Sequence, residues 1–303
     1  MALLKLLEGI RFPAGDSVFF AITYLGEEIT FMALAIVVLW CINKRAGFYL
    51  LTVGGVGTVL SQWMKIVCRV PRPWVLDPEF TIVERARAGA GGYSFPSGHS
   101  QMSVGLFGGI ALWWKKTWVR VTCIIICILV PFSRMYLGVH TPQDIAVGAL
   151  CGLGAMLMLY SFFRDDRGHA VRICFAAITA FAVAFAVYMS VTAFPADIDL
   201  ENLHEAEGNA FKLLGMAAGV WLSWEIDRKW LHFETKAVWW AQVLKTVLGL
   251  ALVVGLKSLL KAPLLSVMAA GPADLIRYFV MAVAAGVLWP LTFRFFGKLG
   301  KKE

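Results

Sequence analysis

Apolar residues dominate this chain in long runs separated by short polar breaks. Runs near 26–43, 46–64, 98–114, 118–136, 143–163, 170–194, 209–226, 238–258 and 272–296 predict about nine helices at or near membrane-crossing length, which takes roughly 20 apolar residues. Residues 1–25 differ, because Lys5, Glu8, Arg11 and Asp16 stand among leucines and phenylalanines. That mixture predicts an amphipathic helix lying in the interface, not a cleavable signal. Glu27 and Glu28 then read as the interfacial start of the first apolar run.

Composition supports a polytopic membrane protein. Of 303 residues, 59% are hydrophobic, and the mean hydropathy is +0.71. The net charge of +8 is distributed unevenly. If the first run ends inside, Lys44, Arg45, Lys115, Lys116, Arg120, Arg164, Arg167, Arg172, Arg228, Lys229, Lys236, Arg294, Lys298, Lys301 and Lys302 fall on one side, the pattern of cytoplasmic loops. The opposite loops carry Asp197, Asp199, Glu201, Glu205 and Glu207, and also the turn Tyr93–Ser100. The charge is therefore read as topology and not as a nucleic-acid surface, and a basic inner face suits anionic lipid. Cys41, Cys68, Cys123, Cys127, Cys151 and Cys174 show no metal-ligand or disulfide spacing and are read as packing residues.

Three polar stretches interrupt the pattern where chemistry is expected. In the first, Lys65 and Arg72 are seven residues apart, two helical turns, and share a face if the helix runs that far. Pro71 and Pro73 make that second turn irregular. Arg69 is read as snorkelling to head groups. Residues 75–95 then form a long connection ending in the pliable run Ala88-Gly89-Ala90-Gly91-Gly92, a length that is commonly functional. Arg85 and Arg87 default to solvated loop charges.

The second stretch, Pro96-Ser97-Gly98-His99, sets a hydroxyl, a glycine and an imidazole at a helix start, where unpaired amides and the helix dipole favour an anion. In isolation it is equally an ordinary helix start. Gly105 with Gly109, and Gly148 with Gly152, repeat at the four-residue spacing that lets membrane helices approach closely, so these two helices are expected to pack together. The third stretch runs from Ser133 and Arg134 through His140, Thr141 and Pro142 to Asp144. Thr141 as N-cap with Pro142 at the first helical position describes a helix start. Asp144 either closes a capping box with Thr141 or orients one nitrogen of His140.

These three stretches resemble, in order and spacing, the signature motifs of the type 2 phosphatidic acid phosphatase family, whose superfamily includes glucose 6-phosphatase and the vanadium haloperoxidases. The resemblance is strong over residues 26–163. It implies an all-α polytopic membrane bundle with a six-helix phosphatase core at 26–194, preceded by the interfacial segment 1–25 and followed at 195–303 by about three additional helices on which the motifs are silent. It also implies roles. Lys65, Arg72 and Arg134, with the Ser97 hydroxyl and the Gly98 amide, would hold phosphoryl oxygens; His140 would be the nucleophile, Asp144 its orienting partner and His99 the general acid.

The implied reaction is metal-independent hydrolysis of a lipid phosphate or diphosphate through a phosphohistidine, with no cofactor and no metal. The expected location is a bacterial inner membrane, with the site facing the extracytoplasmic side. Homo-oligomerisation is left open. The main alternative is an anionic-lipid transporter or binding protein on the same fold, and a vanadate-dependent oxidant is a more distant one. Lys245, inside an apolar run, is read as snorkelling from near its end.

Overall fold

The computed structural model describes residues 1–300, 79% helical with no strands. In chain order the helices are α1 (Ala2–Gly9), α2 (Pro13–Thr23), α3 (Glu28–Val37), α4 (Lys44–Cys68), α5 (Pro73–Leu76), α6 (Gly98–Ser103), α7 (Gly109–Trp113), α8 (Thr117–Tyr136), α9 (Pro142–Arg164), α10 (Gly168–Val191), α11 (Leu200–Ile226), α12 (Trp239–Leu259), α13 (Lys261–Val267), α14 (Ala270–Val283) and α15 (Phe293–Phe296). One-turn π segments extend α3 (Val38–Ile42), join α6 to α7 (Val104–Gly108), and follow α11 (Asp227–Leu231) and α14 (Ala284–Leu288). Six helical stretches among the described residues are long and apolar enough to cross a membrane, and a seventh arises if the bent pair Pro13–Gly26 and Glu28–Ile42 acts as one span. The protein is an all-α polytopic membrane protein.

Two compact units share the chain. The first comprises residues 1–32, 56–160 and 193–206; the second comprises 33–55, 161–192 and 207 onward.

In the first unit, α8 shows why these residues make a membrane helix. Val121, Ile124, Ile125 and Ile128 are exposed, while Ser133 and Arg134 are buried. The apolar face belongs to lipid and the polar end to the protein interior, the arrangement expected where the solvent is hydrocarbon. Gly138, with φ +84, ends the helix in the left-handed region. Its freed carbonyls are taken up locally. Val139 N–H donates to Arg134 O at 3.1 Å, and Arg11 Nε donates to Tyr136 O at 2.7 Å. The segment 84–90 is seated on this helix end, Ala86 and Ala90 packing with Tyr136, Leu137 and Val139.

The glycine pairs do what their spacing predicts. A Cβ on Gly148 would run into the Ser97 carbonyl, and one on Gly152 would sit 2.9 Å from the Gly105 amide. Helix α9 therefore lies directly on α6, which fixes the start of α6 beside the start of α9.

In the second unit, buried Trp40 donates Nε1–H to Ala285 O at 2.8 Å. Lys245 differs from its predicted role. It is 1% exposed and does not snorkel; its ammonium donates to Trp40 O at 2.9 Å and Thr235 O at 3.1 Å and lies 4.4 Å from the Phe293 ring centroid. Carbonyls at the end of one helical segment and in one connection are nearer than any headgroup, so the charge turns inward.

Gly152→Leu should destabilise the protein by about 1–3 kcal/mol, the usual cost of overpacking. Thermal unfolding in detergent checks this; a Gly152→Leu variant as stable as wild type would contradict the close α6–α9 approach.

Candidate active site

All the residues singled out in the three polar stretches fall in the first unit. Helix α4 ends at Cys68 because Arg69 turns into the left-handed region, φ 49, with its Nε donating to Ile66 O at 3.0 Å and its guanidinium 5.7 Å from the Phe194 ring centroid. Arg69 is a helix-end residue, not a snorkelling one. Arg72 then sits in extended backbone as N-cap of α5. Lys65 and Arg72 therefore share no helix face. They meet instead through a loop carbonyl: Gly91 O accepts from Lys65 Nζ at 3.4 Å and from Arg72 Nη2 at 2.5 Å.

The glycine-rich loop supports all three cations. Lys65 also donates to Tyr93 O at 2.6 Å, Arg72 Nε to Gly92 O at 3.0 Å, and Arg134 Nη2 to Gly89 O at 3.2 Å. Arg134 Nη1 is held by Thr23 Oγ1 at 2.8 Å. Gly92 has φ +67, a conformation that suits glycine. The loop arginines have other work. Arg85 donates to Ser17 Oγ at 3.1 Å and stacks on Phe20, while Arg87 pairs with Glu84 and lies over Trp74. Both are exposed, as expected of loop charges, but each has a partner.

The start of α9 holds Asp144 in a capping box and places it beside His140. Thr141 N–H donates to Asp144 Oδ2 at 2.8 Å, and Asp144 N–H donates to Thr141 Oγ1 at 3.3 Å, a reciprocal capping box. The same Oδ2 lies 3.4 Å from His140 Nδ1. Ser94, which the sequence reading did not single out, donates its hydroxyl to that oxygen at 2.6 Å. The signal was a serine inside the organising turn, but nothing in its spacing linked it to a residue 50 positions later. Ser97 N–H donates to Asp144 O at 3.0 Å, tying the second stretch to the third.

Arg72 Nη1 approaches His140 Nε2 at 3.0 Å. The same Nη1 stands 3.4 Å from Nδ1; a guanidinium can only donate, so the shorter contact fits a lone pair on Nε2 with the ring proton on Nδ1, the side of Asp144 and Ser94. His140 is 2% exposed. Burial first, then the charges of Arg72, Arg134 and Lys65, hold its imidazole well below the ordinary value.

Ser97 is the N-cap of α6, accepting from Ser100 N–H at 3.4 Å and from the Ser100 hydroxyl at 3.0 Å. The Gly98 backbone is open, with nothing within 4 Å of where a Cβ would stand. Among the residues singled out in the three stretches, two buried nitrogens have no hydrogen-bond partner, His99 Nε2 and Arg134 Nε. Buried polar atoms are nearly always paired, so these two mark where a polar ligand belongs. With Gly98 and the three cations they describe a site for an anion.

The fold is that of an integral membrane protein, and the three stretches bring cations and two histidines together at helix starts. The chain belongs to the PAP2 superfamily: residues 45–168 match the superfamily domain, and residues 211–302 match the transmembrane extension of PAP2 superfamily phosphatases. Over 62 residues it is 34% identical to the lipid A 4'-phosphatase of Bacteroides thetaiotaomicron, which covers 20% of this chain and 28% of that protein. Over 130 residues it is 28% identical to the undecaprenyl-diphosphatase of Sulfolobus acidocaldarius, 43% of this chain and 61% of that one. A 26% identity over 188 residues joins it to YbjG of Escherichia coli (strain K12), whose name gives undecaprenyl-diphosphatase as a provisional activity; 58% of this chain and 92% of YbjG are covered. The chain thus spans less than two thirds of the length of the first two relatives. No solved structure matches it.

His140 should titrate below about 6.5, the ordinary imidazole value, with its proton on Nδ1 in the neutral form. Imidazole NMR of the labelled protein measures both. Arg72→Gln removes a nearby positive charge and should raise the His140 pKa; a ring already protonated at pH 6.5 in wild type would contradict the assigned environment.

Proposed function

We propose that the protein is a metal-independent lipid phosphate phosphatase that works through a phosphohistidine at His140. The geometry that supports this reading is the His140 imidazole, with Nε2 3.0 Å from the Arg72 guanidinium and Nδ1 3.4 Å from the Asp144 carboxylate, in surroundings that favour its neutral form. A nucleophilic imidazole has to present a free lone pair on one nitrogen and have its other N–H oriented.

In the proposed reaction the phosphoryl group takes over the Arg72 donor that faces Nε2, and is held by Lys65, Arg134, the Gly98 amide and the Ser97 hydroxyl. Spread charge on three phosphoryl oxygens needs little beyond such positioned donors. The Nε2 lone pair attacks phosphorus in line, and the bond from phosphorus to the departing oxygen breaks. His99 gives that oxygen its proton. The forming imidazolium is stabilised by Asp144, whose carboxylate is itself fixed by Ser94 and Thr141. Water then attacks phosphorus, its proton passes to His99, the P–N bond breaks and phosphate leaves. Binding the anion also offsets the cations around His99, which favours the protonated imidazole that the first step needs.

The substrate is a lipid whose terminal phosphate or diphosphate reaches the helix starts while its tail stays in hydrocarbon. Similarity to proteins named as a lipid A 4'-phosphatase and an undecaprenyl-diphosphatase supports that class and leaves both phosphomonoester and diphosphate within it. The positive-inside pattern supports a site on the extracytoplasmic side, as expected for a bacterial inner-membrane enzyme.

His140→Ala should abolish phosphate release from lipid phosphates with folded protein retained. In wild type, brief incubation with radiolabelled substrate should trap a phosphoenzyme that is labile to acid and stable to base. Turnover by the His140→Ala variant at wild-type rate would remove the nucleophile assignment. Ser94→Ala deletes one charge-assisted hydrogen bond and should lower kcat about 10- to 100-fold, equivalent to about 1.5–3 kcal/mol. Steady-state phosphate release across phosphatidic acid, phosphatidylglycerol phosphate and polyprenyl diphosphate measures this and ranks the substrates.

A further inference from the structure

We propose that the second unit carries a separate site for a phosphate-bearing lipid headgroup, in the cleft between the start of α4 and the turn that joins α11 to α12. The site is independent of the phosphatase reading. The cleft has a volume of about 660 Å³ and is lined by four cations, Lys44, Arg45, Arg228 and Lys236.

Two of these cations are held in place. Lys44 Nζ is 2.9 Å from Asp227 Oδ2 and 5.2 Å from the Phe233 ring centroid. Asp227 is 5% exposed and also accepts from Phe233 N–H at 2.9 Å, so the π turn Asp227–Leu231 and the chain that follows it are locked to the start of α4. The Arg228 guanidinium lies 5.3 Å from the Trp224 ring centroid and 3.7 Å from Asp166. It rests directly on Gly168, where any Cβ would collide with it.

The other two cations, Arg45 and Lys236, are exposed and have no ion-pair partner among the described residues. Asp227 and Asp166 are already engaged by Lys44 and Arg228; Glu234 and His232 complete the titratable lining. The free charges at the mouth are thus predominantly positive. Arg45 is also in the first turn of α4, the end where a helix dipole favours anions and disfavours a cation. A bound anion would relieve that conflict.

The walls are strained as well as charged. Only three non-glycine residues have positive φ among the described residues, and two of them, Asp166 (φ 54) and His232 (φ 46), line this cleft. Such conformations persist where surrounding contacts enforce them, and they gather at ligand sites. A one-turn π segment is a further mark of this kind.

A lipid is the favoured occupant because exposed tryptophans adjoin the lining residues along the chain. Trp230, close after Arg228, and Trp239 and Trp240, close after Lys236, are 71%, 79% and 41% exposed, and tryptophan is enriched at headgroup depth in membrane proteins. Phe48, Trp224 and Phe233 add apolar wall for the part of the lipid below its phosphate.

The test compares wild type with the Arg45→Gln/Lys236→Gln double variant in detergent, by thermal unfolding with dioctanoyl phosphatidylglycerol, dioctanoyl phosphatidylcholine and inorganic phosphate as separate ligands. Neither substituted residue is a structural partner, so both proteins should unfold alike without ligand. The single Lys236→Gln variant provides a milder form of the same test. Phosphatidylglycerol should stabilise wild type more than phosphatidylcholine does, and its apparent affinity should fall about 30-fold in the double variant. Stabilisation by inorganic phosphate should be the same in both proteins. Equal phosphatidylglycerol affinity in the two proteins, or no preference over phosphatidylcholine, would overturn the site. A phosphate effect lost in the double variant would overturn the lipid assignment in favour of a soluble phosphate.

Discussion

One carboxylate oxygen organises the candidate active site. Asp144 Oδ2 takes the Ser94 hydroxyl, takes the Thr141 amide and stands 3.4 Å from His140 Nδ1. The backbone carbonyl of the same residue takes the Ser97 amide. Two stretches distant in sequence, residues 94–97 and 140–144, therefore converge on one residue. Leaving a buried acceptor or donor unpaired costs about 1–3 kcal/mol, and more for a charged group, so each partner holds the others in register. The Nδ1 side of His140 lies against this carboxylate and its Nε2 lies 3.0 Å from Arg72.

Gathering three cations at a membrane protein's helix ends is the opposing problem. Arg72 and Arg134 are 6% and 1% exposed, yet neither forms an ion pair among the described residues. Carbonyl oxygens of the glycine-rich loop do the work instead, accepting from Lys65, Arg72 and Arg134. Neutral dipoles can solvate a cation without cancelling its charge, so the site stays positive for a ligand. The carboxylates of Glu205, Asp144 and Glu27 act on these cations without forming ion pairs with them among the described residues. The loop needs small residues because carbonyls from successive positions must all turn inward.

Much of this was legible in the sequence, for identifiable reasons. Apolar run length gave most of the helices because hydrocarbon thickness is a fixed length, although six or seven of the nine expected runs are spans by length and apolarity among the described residues; Gly148 and Gly152 gave the α6–α9 contact because small residues at that spacing have few other uses in a membrane. The capping residues of α9 were readable because a cap is local. What was not readable was nonlocal or set by a single dihedral. Ser94 reaches Asp144 only after folding. By spacing alone Lys65 and Arg72 share a helix face, but the left-handed turn at Arg69 ends the helix first and brings them together through Gly91.

Lys245 shows the same limit from the other direction. Position in an apolar run measures depth, and from depth alone a lysine near the end of a span is expected to reach for water. Direction is set by which acceptors lie within reach. The Trp40 and Thr235 carbonyls lie within 3.1 Å of the ammonium, and such carbonyls also need donors away from water. Arg11 on Tyr136 O and Arg72 on Val139 O meet the same need in the first unit. Arg11 satisfies backbone that a helix end leaves open and Arg72 a carbonyl of the connection beyond it, and a long cationic side chain serves that purpose because its own charge is solvated in the same contact. A basic residue in an apolar run is therefore better weighed by the helix ends it can reach than by its distance from the interface.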